Sequence, residues 1–553
     1  MLRNIWLVIS IFLLGVGLIG FWFFHREPKR DLSYLDAISE HSSDALALVL
    51  TANLEGYVAP CGCTSDPYGG IDRFAQVFLD LKAGLAGRAV LVDGGNMLFD
   101  SKTRNIADSC QDEAKIDLLL STLKDLGLRF TMPGQFDFAR GAGFAIDLYK
   151  KFGLQFPPDE ELKIYPIDEH GLKISLLMIP AGYFLKRDIG LIKKSAEAAK
   201  AGGAQVVVVV SQMPSEKTKE LMVPGTNIDI IFQAHTESMV PKSPIWASQA
   251  HPIWLEGGRQ GQFFTYLLLQ NVGSAKGAPL QLDSRAFAAL EEKDLLVLRI
   301  QGLKQQLNDS SEDRRAFLNQ RLQMAEVELE SLLQVGSFTP LPGPSATFQA
   351  IPLSRRIVPN PKIKAQLDQY DASIPALVRK CEENVVCEKP DEGQATYVGV
   401  ETCKTCHQAA YDVWKKAIVT VDAVNEEGAA IKRQVGHSRA WQTLVDDQKE
   451  TDRSCVGCHS IGFMKKGGYC KAFEVDFRVN VQCESCHGPG SLHATTGDKR
   501  FITRRMDEQG CRECHVVPHI STYDSFNYEE KVQKILGPGH GEKLLQELQH
   551  KAR

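Results

Sequence analysis

Between residues 44 and 282 the chain alternates two hydrophobic rhythms. Short apolar runs cover 45–50, 89–92, 172–180, 206–210, 228–232 and 262–269, and the run at 206–210 is entirely valine. Stretches 73–81, 114–126 and 191–201 instead repeat apolar residues every three or four positions. Continuous runs of this length read as buried strands, and the 3.6-residue period reads as amphipathic helix. Their alternation predicts a layered α/β domain over 44–282. The pattern then changes. Leu290, Leu295, Leu296, Leu298, Leu303 and Leu307 mark one helix; Phe317, Leu322, Met324, Val327 and Leu332 mark a second. Polar residues 308–311 break between them, which predicts an αα-hairpin. Pro340, Pro342, Pro344, Pro352, Pro359 and Pro361 predict a stiff, extended connector with a short helix at 362–369. Residues 283–396 therefore read as hairpin plus linker, and 397–553 as a separate block.

The amino end carries a further apolar run. Residues 5–24 hold no charge and one strongly polar residue, Ser10. A helix of that length spans roughly 30 Å, the thickness of a bilayer's hydrocarbon core. The run ends in Phe21, Trp22, Phe23 and Phe24 without a small-x-small cleavage site, which predicts an uncleaved single-pass anchor within 1–30. Only Arg3 precedes it, while Arg26, Lys29 and Arg30 follow. The positive-inside rule alone would keep the body in the cytoplasm, but the bias is small and long domains translocate regardless of it. A net charge of −5 gives no reason to expect a nucleic-acid partner.

The last block carries the chemistry. Of 14 cysteines, eight fall in four C-x-x-C-H motifs: Cys403, Cys406 and His407; Cys455, Cys458 and His459; Cys483, Cys486 and His487; Cys511, Cys514 and His515. Two thiols on one helical turn can bond both vinyl groups of a porphyrin, and the next histidine then sits under the iron. A zinc ribbon has no need of His after every second Cys, and a thiol redox motif does not recur four times. The motifs predict four covalent c-type haems.

Residues 397–403, Trp414 with Lys415 and Lys416, 437–441, and 483–493 resemble the cytochrome c-554 family of tetrahaem electron carriers, over about 397–545. The resemblance implies a mostly helical domain in which haems form much of the core. It also implies distal iron ligands at His437, His493 and His540, with three six-coordinate haems and one left open or weakly ligated. His519, only four residues after its own motif, is the fourth candidate, and Met464 and Met506 are weaker ones. Residues 417–436 depart from the family as an insertion. Two imidazoles per iron favour the ferric state and hence low potentials. In the families that the chain resembles such haems are attached on the outer side of the membrane, and that resemblance implies an extracytoplasmic, periplasmic body.

The strand ends of the front domain carry a second resemblance. Residues 51–56, 93–96, 133–137, 211–212 and 234–237 resemble the blocks of the metallophosphoesterase family, in its secreted 5'-nucleotidase branch, over about 46–270. In that family the blocks place Asp, His and Asn ligands around two metal ions. Here the matching positions are Asn53, Glu55, Asn96, Pro133, Gly134, Gln212, His235 and Glu237. Neutral amides are poor hard-metal ligands, and one remaining His cannot hold two divalent ions. The fold is therefore expected without the phosphatase. Cys61, Cys63, Cys110 and His235 could converge at the same mouth as a thiol or soft-metal site, leaving room for an additional metal in this domain. The alternative is a structural disulfide from Cys110 to Cys61 or Cys63. Cys381 and Cys387, close in sequence, suggest a local disulfide.

Together these expectations describe a membrane-anchored tetrahaem cytochrome passing electrons between respiratory redox partner proteins, within a membrane complex or alone. The alternatives are a multihaem reductase of a small nitrogen or sulfur compound at an open haem, and a still-active phosphoesterase.

Overall fold

The computed structural model describes residues 41, 43–60, 68–101, 108–158, 161–186, 189–273, 278–285, 296, 299–300, 303, 307, 312–333, 341–424, 430–504, 506–515 and 526–551. The expected anchor at 5–24 lies outside them. Among the described residues no helix is long and apolar enough to cross a membrane.

Two sheets stack face to face. Strands β1 (Leu46–Thr51), β2 (Ala89–Asp93), β9 (Phe263–Gln270), β10 (Gln281–Asp283) and β11 (Ser345–Pro352) form one, in the order β10-β11-β9-β1-β2. The other runs β3-β4-β5-β6-β8-β7, built from β3 (Lys163–Glu169), β4 (Leu172–Ile179), β5 (Val206–Ser211), β6 (Ile230–Gln233), β7 (Lys242–Ile245) and β8 (Ile253–Glu256). Side chains alternate across each strand, so an all-apolar strand must be covered on both faces. Leu46, Leu48 and Leu50 of β1 meet Val206, Val208 and Val210 of β5 in the core between the sheets. Ala47 and Val49 point the other way, into a core shared with α1 (Ile71–Gly84), α2 (Ser109–Leu126) and α3 (Ala142–Lys151). Val207 and Val209 pack outward against α4 (Ile189–Ala201). The result is four layers, helix–sheet–sheet–helix.

Two features of the expected linker are corrected. Residues 345–352 are β11, paired antiparallel with the whole of β9 from Ser345–Gln270 to Pro352–Phe263. Residues 361–382 form one long helix, here α6 (Pro361–Glu382, following α5 at Glu312–Leu333), rather than a short one. Its Ile363, Leu367, Tyr370, Ile374 and Val378 recur at helical spacing and join the core under the first sheet. Asn360 caps it by accepting from the Ile363 amide at 3.3 Å, with Pro361 at the first helical position. The front domain thus extends to about residue 382, because the prolines bound regular elements instead of replacing them. In α5 the buried stripe is Leu318 and Ala325, with Leu322 and Leu329 partly covered, against Ile300 and Leu303. Phe317, Met324 and Val327, expected to mark this face, are exposed.

The cysteine pairing also differs from expectation. Cys110 bonds Cys381, and Cys387 bonds Cys470. Neither a Cys381–Cys387 bridge nor a bridge from Cys110 to Cys61 or Cys63 forms. The reason is tertiary: the start of α2 lies against the end of α6, 271 residues away in the chain. Proximity in sequence was the wrong guide.

Beyond residue 397 the chain is short helices joined by irregular segments: α7 (Val400–Lys404), α8 (Gln408–Lys416), α9 (Ala440–Asp446), α10 (Arg453–Val456), α11 (Cys483–His487), α12 (Ser491–Thr496), α13 (Glu508–Cys511), α14 (Tyr528–Val532) and α15 (Glu542–Lys551). The insertion at 417–436 is a β-hairpin, β12 (Val419–Val424) with β13 (Ala430–Val435), leading directly into His437. The buried apolar cluster found in this region is small: Trp441, Leu444, Val456 and Tyr469, with Cys455, Phe463 and Val479 at its edge.

Candidate functional site

Each C-x-x-C-H motif occupies about one helical turn. Positions i, i+3 and i+4 share a helix face, so both thiols and the imidazole point the same way. The turn closes by backbone hydrogen bonds such as His407 N to Cys403 O and His515 N to Cys511 O, both 2.9 Å. Side chains cap the turns: Asp452 accepts from Ser454 N at 3.0 Å and Asp507 from Gly510 N at 3.0 Å. None of the eight motif cysteines forms a disulfide, whereas Cys110, Cys381, Cys387 and Cys470 all do.

The third motif also holds the first. Buried Glu484, between its two cysteines, accepts from the amides of Val398 (3.0 Å), Gly399 (2.7 Å) and Gly490 (2.7 Å). Gln482 accepts from Val400 N at 2.7 Å. These side chains satisfy the opening amides of α7, which has no cap of its own from Gly399. A hydrogen bond between the Cys403 and Cys483 thiols pushes the first up and the second down. Burial, followed by the neighbouring Cys511, Cys514 and Cys483, pushes Cys486 up to about 11. Motifs one, three and four therefore sit side by side.

The histidines are arranged in pairs drawn from distant parts of the chain. His407 faces His493 with ring centroids 6.1 Å apart, His515 faces His437 at 6.0 Å, and His487 faces His540 at 6.1 Å. Every pair joins a motif histidine to one outside the motifs. Two imidazoles binding one metal from opposite sides, at ~2 Å per bond, hold their ring centres roughly 6 Å apart. The donor set fits a six-coordinate iron. The tautomers fit as well. His487 Nδ1 donates to Thr503 O (2.6 Å), His493 Nδ1 to Asp498 O (3.1 Å) and His540 Nδ1 to Ile535 O (2.7 Å). A carbonyl can only accept, so the proton is on Nδ1 and the Nε2 lone pair remains for a metal. Burial holds His437 below its usual range, favouring the neutral, ligating form. In the second motif His459 Nδ1 donates to Ala440 O at 2.5 Å. His519 lies outside the described residues.

At the front-domain mouth the positions of the resemblance are filled by direct hydrogen bonds. Asn96 Nδ2 donates to Asn53 Oδ1 (3.0 Å), Asn53 Nδ2 to Ala234 O (2.7 Å) and Gln212 Nε2 to Gly94 O (2.5 Å). Glu55 pairs with Arg259 at 2.5 Å. Asn53, Glu55 and Asn96 have φ of 52°, 55° and 52°, a left-handed geometry that non-glycine residues rarely hold. Gly134, in the Asn-His block, has no room for a side chain: an added Cβ would lie 2.1 Å from Asn96 Oδ1. These residues do not fit a two-metal centre, and among the described residues no group of three or more His, Cys, Asp or Glu is placed to hold a metal ion. The expected Cys61, Cys63, Cys110 and His235 set is corrected in part: Cys110 is engaged with Cys381, and Cys61 and Cys63 lie outside the described residues.

Two carboxylates missed in the sequence lie under this mouth. Asp93 accepts from Thr51, Thr131 and the Gly95 amide, and Asp137 from the amides of Leu98 and Gly134. Burial pushes Asp93 up to about 7 and Asp137 up to about 6, and Glu55 rises to about 7 for the same reason despite Arg259. The native state then holds protons that the unfolded chain releases near pH 4, so stability falls as pH rises from about 4 to about 7. Denaturant titrations across that range should show the decline, and Asp93→Asn should reduce it, leaving the part due to Asp137 and Glu55.

Comparison with known proteins follows this division. Residues 402–488 match the family model described as "Cytochrome c554 and c-prime". Residues 402–488, which hold the first three C-x-x-C-H motifs, thus carry a domain similar to the c-type cytochromes of that family. The particular relative is cytochrome c-554 of Nitrosomonas europaea, 37% identical over 118 residues, which are 21% of this chain and 47% of that protein. The chain thus spans about half the length of the relative it matches. Two solved structures are similar to the chain more loosely. A 5'-nucleotidase precursor from Thermus thermophilus shares 12% identity at a TM-score of 0.40, covering 72% of this chain and 73% of that one. Haemophilus influenzae NAD nucleotidase shares 11% at 0.40, covering 72% and 74%. At these scores the front domain is better described by its own strand order.

Proposed function

We propose that this protein is an extracytoplasmic, membrane-anchored tetrahaem cytochrome that carries electrons between redox partner proteins, with a front domain that has lost phosphoesterase chemistry. The observation that carries the reading is the three histidine pairs, each joining distant parts of the chain at 6.0 to 6.1 Å. Haem c attached at Cys403/Cys406, Cys455/Cys458, Cys483/Cys486 and Cys511/Cys514 supplies one-electron chemistry at iron. The chain's own part is to bring the imidazoles together in pairs and to fix the rings of His487, His493 and His540 through backbone carbonyls. It also brings motifs one, three and four into contact, which supports a short electron path. The small apolar cluster of the region supports porphyrin as core material. In the front domain, Asn53, Asn96 and Gln212 spend their amides on one another and on backbone carbonyls, and among the described residues no group of three or more His, Cys, Asp or Glu is placed to hold a metal ion. Residues 5–24 would tether the body to the outer face of the inner membrane.

The test is a pyridine haemochrome assay on matured protein, with optical and EPR spectra. Four haems per chain, with at least three low-spin, are expected, together with no phosphomonoester hydrolysis in Mn²⁺ or Zn²⁺. Absence of bound porphyrin overturns the reading.

A further inference from the structure

The second attachment turn lies at one place where the front domain meets the cytochrome region, and the contact there is largely made of charge. Arg453, two residues before Cys455, is 4% exposed. Its Nη1 donates to Glu382 Oε1 at 2.7 Å and its Nε to Asp108 Oδ1 at 2.8 Å. Glu382 ends α6 and Asp108 precedes α2, so both carboxylates belong to the front domain. Arg453 also reaches Cys470 O at 3.2 Å and Met464 Sδ at 3.1 Å. Glu382 Oε1 accepts a second bond from Ala472 N at 2.8 Å. Beside them Gln111 of α2 donates to Asp452 at 2.6 Å, and Lys449 pairs with Asp371 of α6 at 2.8 Å. Cations from the cytochrome side thus face carboxylates from the front side, and the Cys110–Cys381 bridge fixes the two helix ends that present Asp108 and Glu382.

The cluster is also close to the haem-attachment turn. The Arg453 guanidinium lies 4.9 Å from the Phe463 ring centre. Phe463 packs in one cluster with Cys455, and a Cβ at Gly457 would lie 3.4 Å from its Cδ1. A buried charge one ring away from an iron site moves the balance between its charged states far more than a surface charge does.

We propose that Arg453 is a positioning residue that sets the potential of the haem attached at Cys455 and Cys458, and that the front domain governs it through Glu382 and Asp108. The front domain is then an electrostatic support for one electron-transfer centre. This rests on the haem reading above. A nearby cation disfavours ferric iron and a nearby anion favours it. Glu382→Gln, nearly isosteric, raises that haem's potential; Arg453→Gln lowers it; Arg453→Lys, which keeps the charge, leaves it near the wild-type value.

Spectroelectrochemical titration of the full-length matured protein tests this. The component to follow is the one missing from a Cys455→Ala/Cys458→Ala variant. A shift on the order of tenfold in its reduced-to-oxidised ratio, opposite in sign for the two charge-removing variants, is expected, with the other three components unmoved. If Arg453→Gln is not recovered folded, Glu382→Gln and Asp108→Asn decide: an upward shift confined to that component supports the proposal. Four haems present with that component unmoved, or with all four shifted equally, overturns it. A wild-type protein that binds no haem instead removes the underlying reading.

Discussion

Replacing His493 with Ala should, on the tetrahaem reading proposed above, leave four covalent haems on the chain and turn one of them from low-spin to high-spin. Attachment depends on Cys403 and Cys406, which the substitution does not touch, while the ring facing His407 at 6.1 Å is lost. The same substitution at His437 or His540 should act on the haem expected at His515 or His487, because those rings are the partners at 6.0 and 6.1 Å. Three single variants should therefore each convert a different haem, and a triple variant should convert three. EPR reads the spin state directly, and exogenous imidazole should restore the low-spin signal. If a single variant left the spectrum unchanged, the pairing would not be one of axial ligands. The potential of the altered haem should rise, since one of two imidazoles that favour ferric iron is gone.

Glu484→Ala should be the most damaging single change in the carboxyl-terminal region that touches neither a motif cysteine nor a histidine. It strands the amides of Val398, Gly399 and Gly490, each now bonded at 3.0 Å or less. Each buried, unmatched amide costs about 1–3 kcal/mol, so the sum is roughly 3–6 kcal/mol after partial rehydration. Glu484→Gln keeps one acceptor and should lose about half as much. The loss should be local: α7 detaches from the third motif, and haem occupancy at Cys403 and Cys406 drops before that at Cys511 and Cys514. Thermal melts and mass spectrometry of haem-bearing peptides measure both.

Glu484 also shows where sequence reading stopped. It occupies an x of C-x-x-C-H, a position the motif leaves unconstrained, and nothing local reports that it bonds the amide of Gly399, 85 residues upstream at the start of α7. Arg453 is equally silent in the sequence, since its partners Asp108 and Glu382 are 345 and 71 residues away. Strand identity was easier. Val206 to Val210 can only be a strand covered on both faces, and the α/β layering follows from such runs. By contrast, β11 hid among prolines, and its membership in the sheet depends on β9 being there to pair with it.

The attachment chemistry is legible locally: two thiols on one turn suit the porphyrin's vinyl groups and the next residue's imidazole suits its iron, and the spacing within one motif specifies that. The sequence by itself also determined which strands are buried, because period and run length are properties of the segment. The packing of whole layers sets which histidine faces which, which cysteines bridge, that the proline-rich stretch joins a sheet, and that Asn53, Asn96 and Gly134 meet beyond the ends of β1 and β2. Each of these joins groups far apart in the chain, and their contact is fixed by how whole layers pack rather than by any preference the residues carry locally.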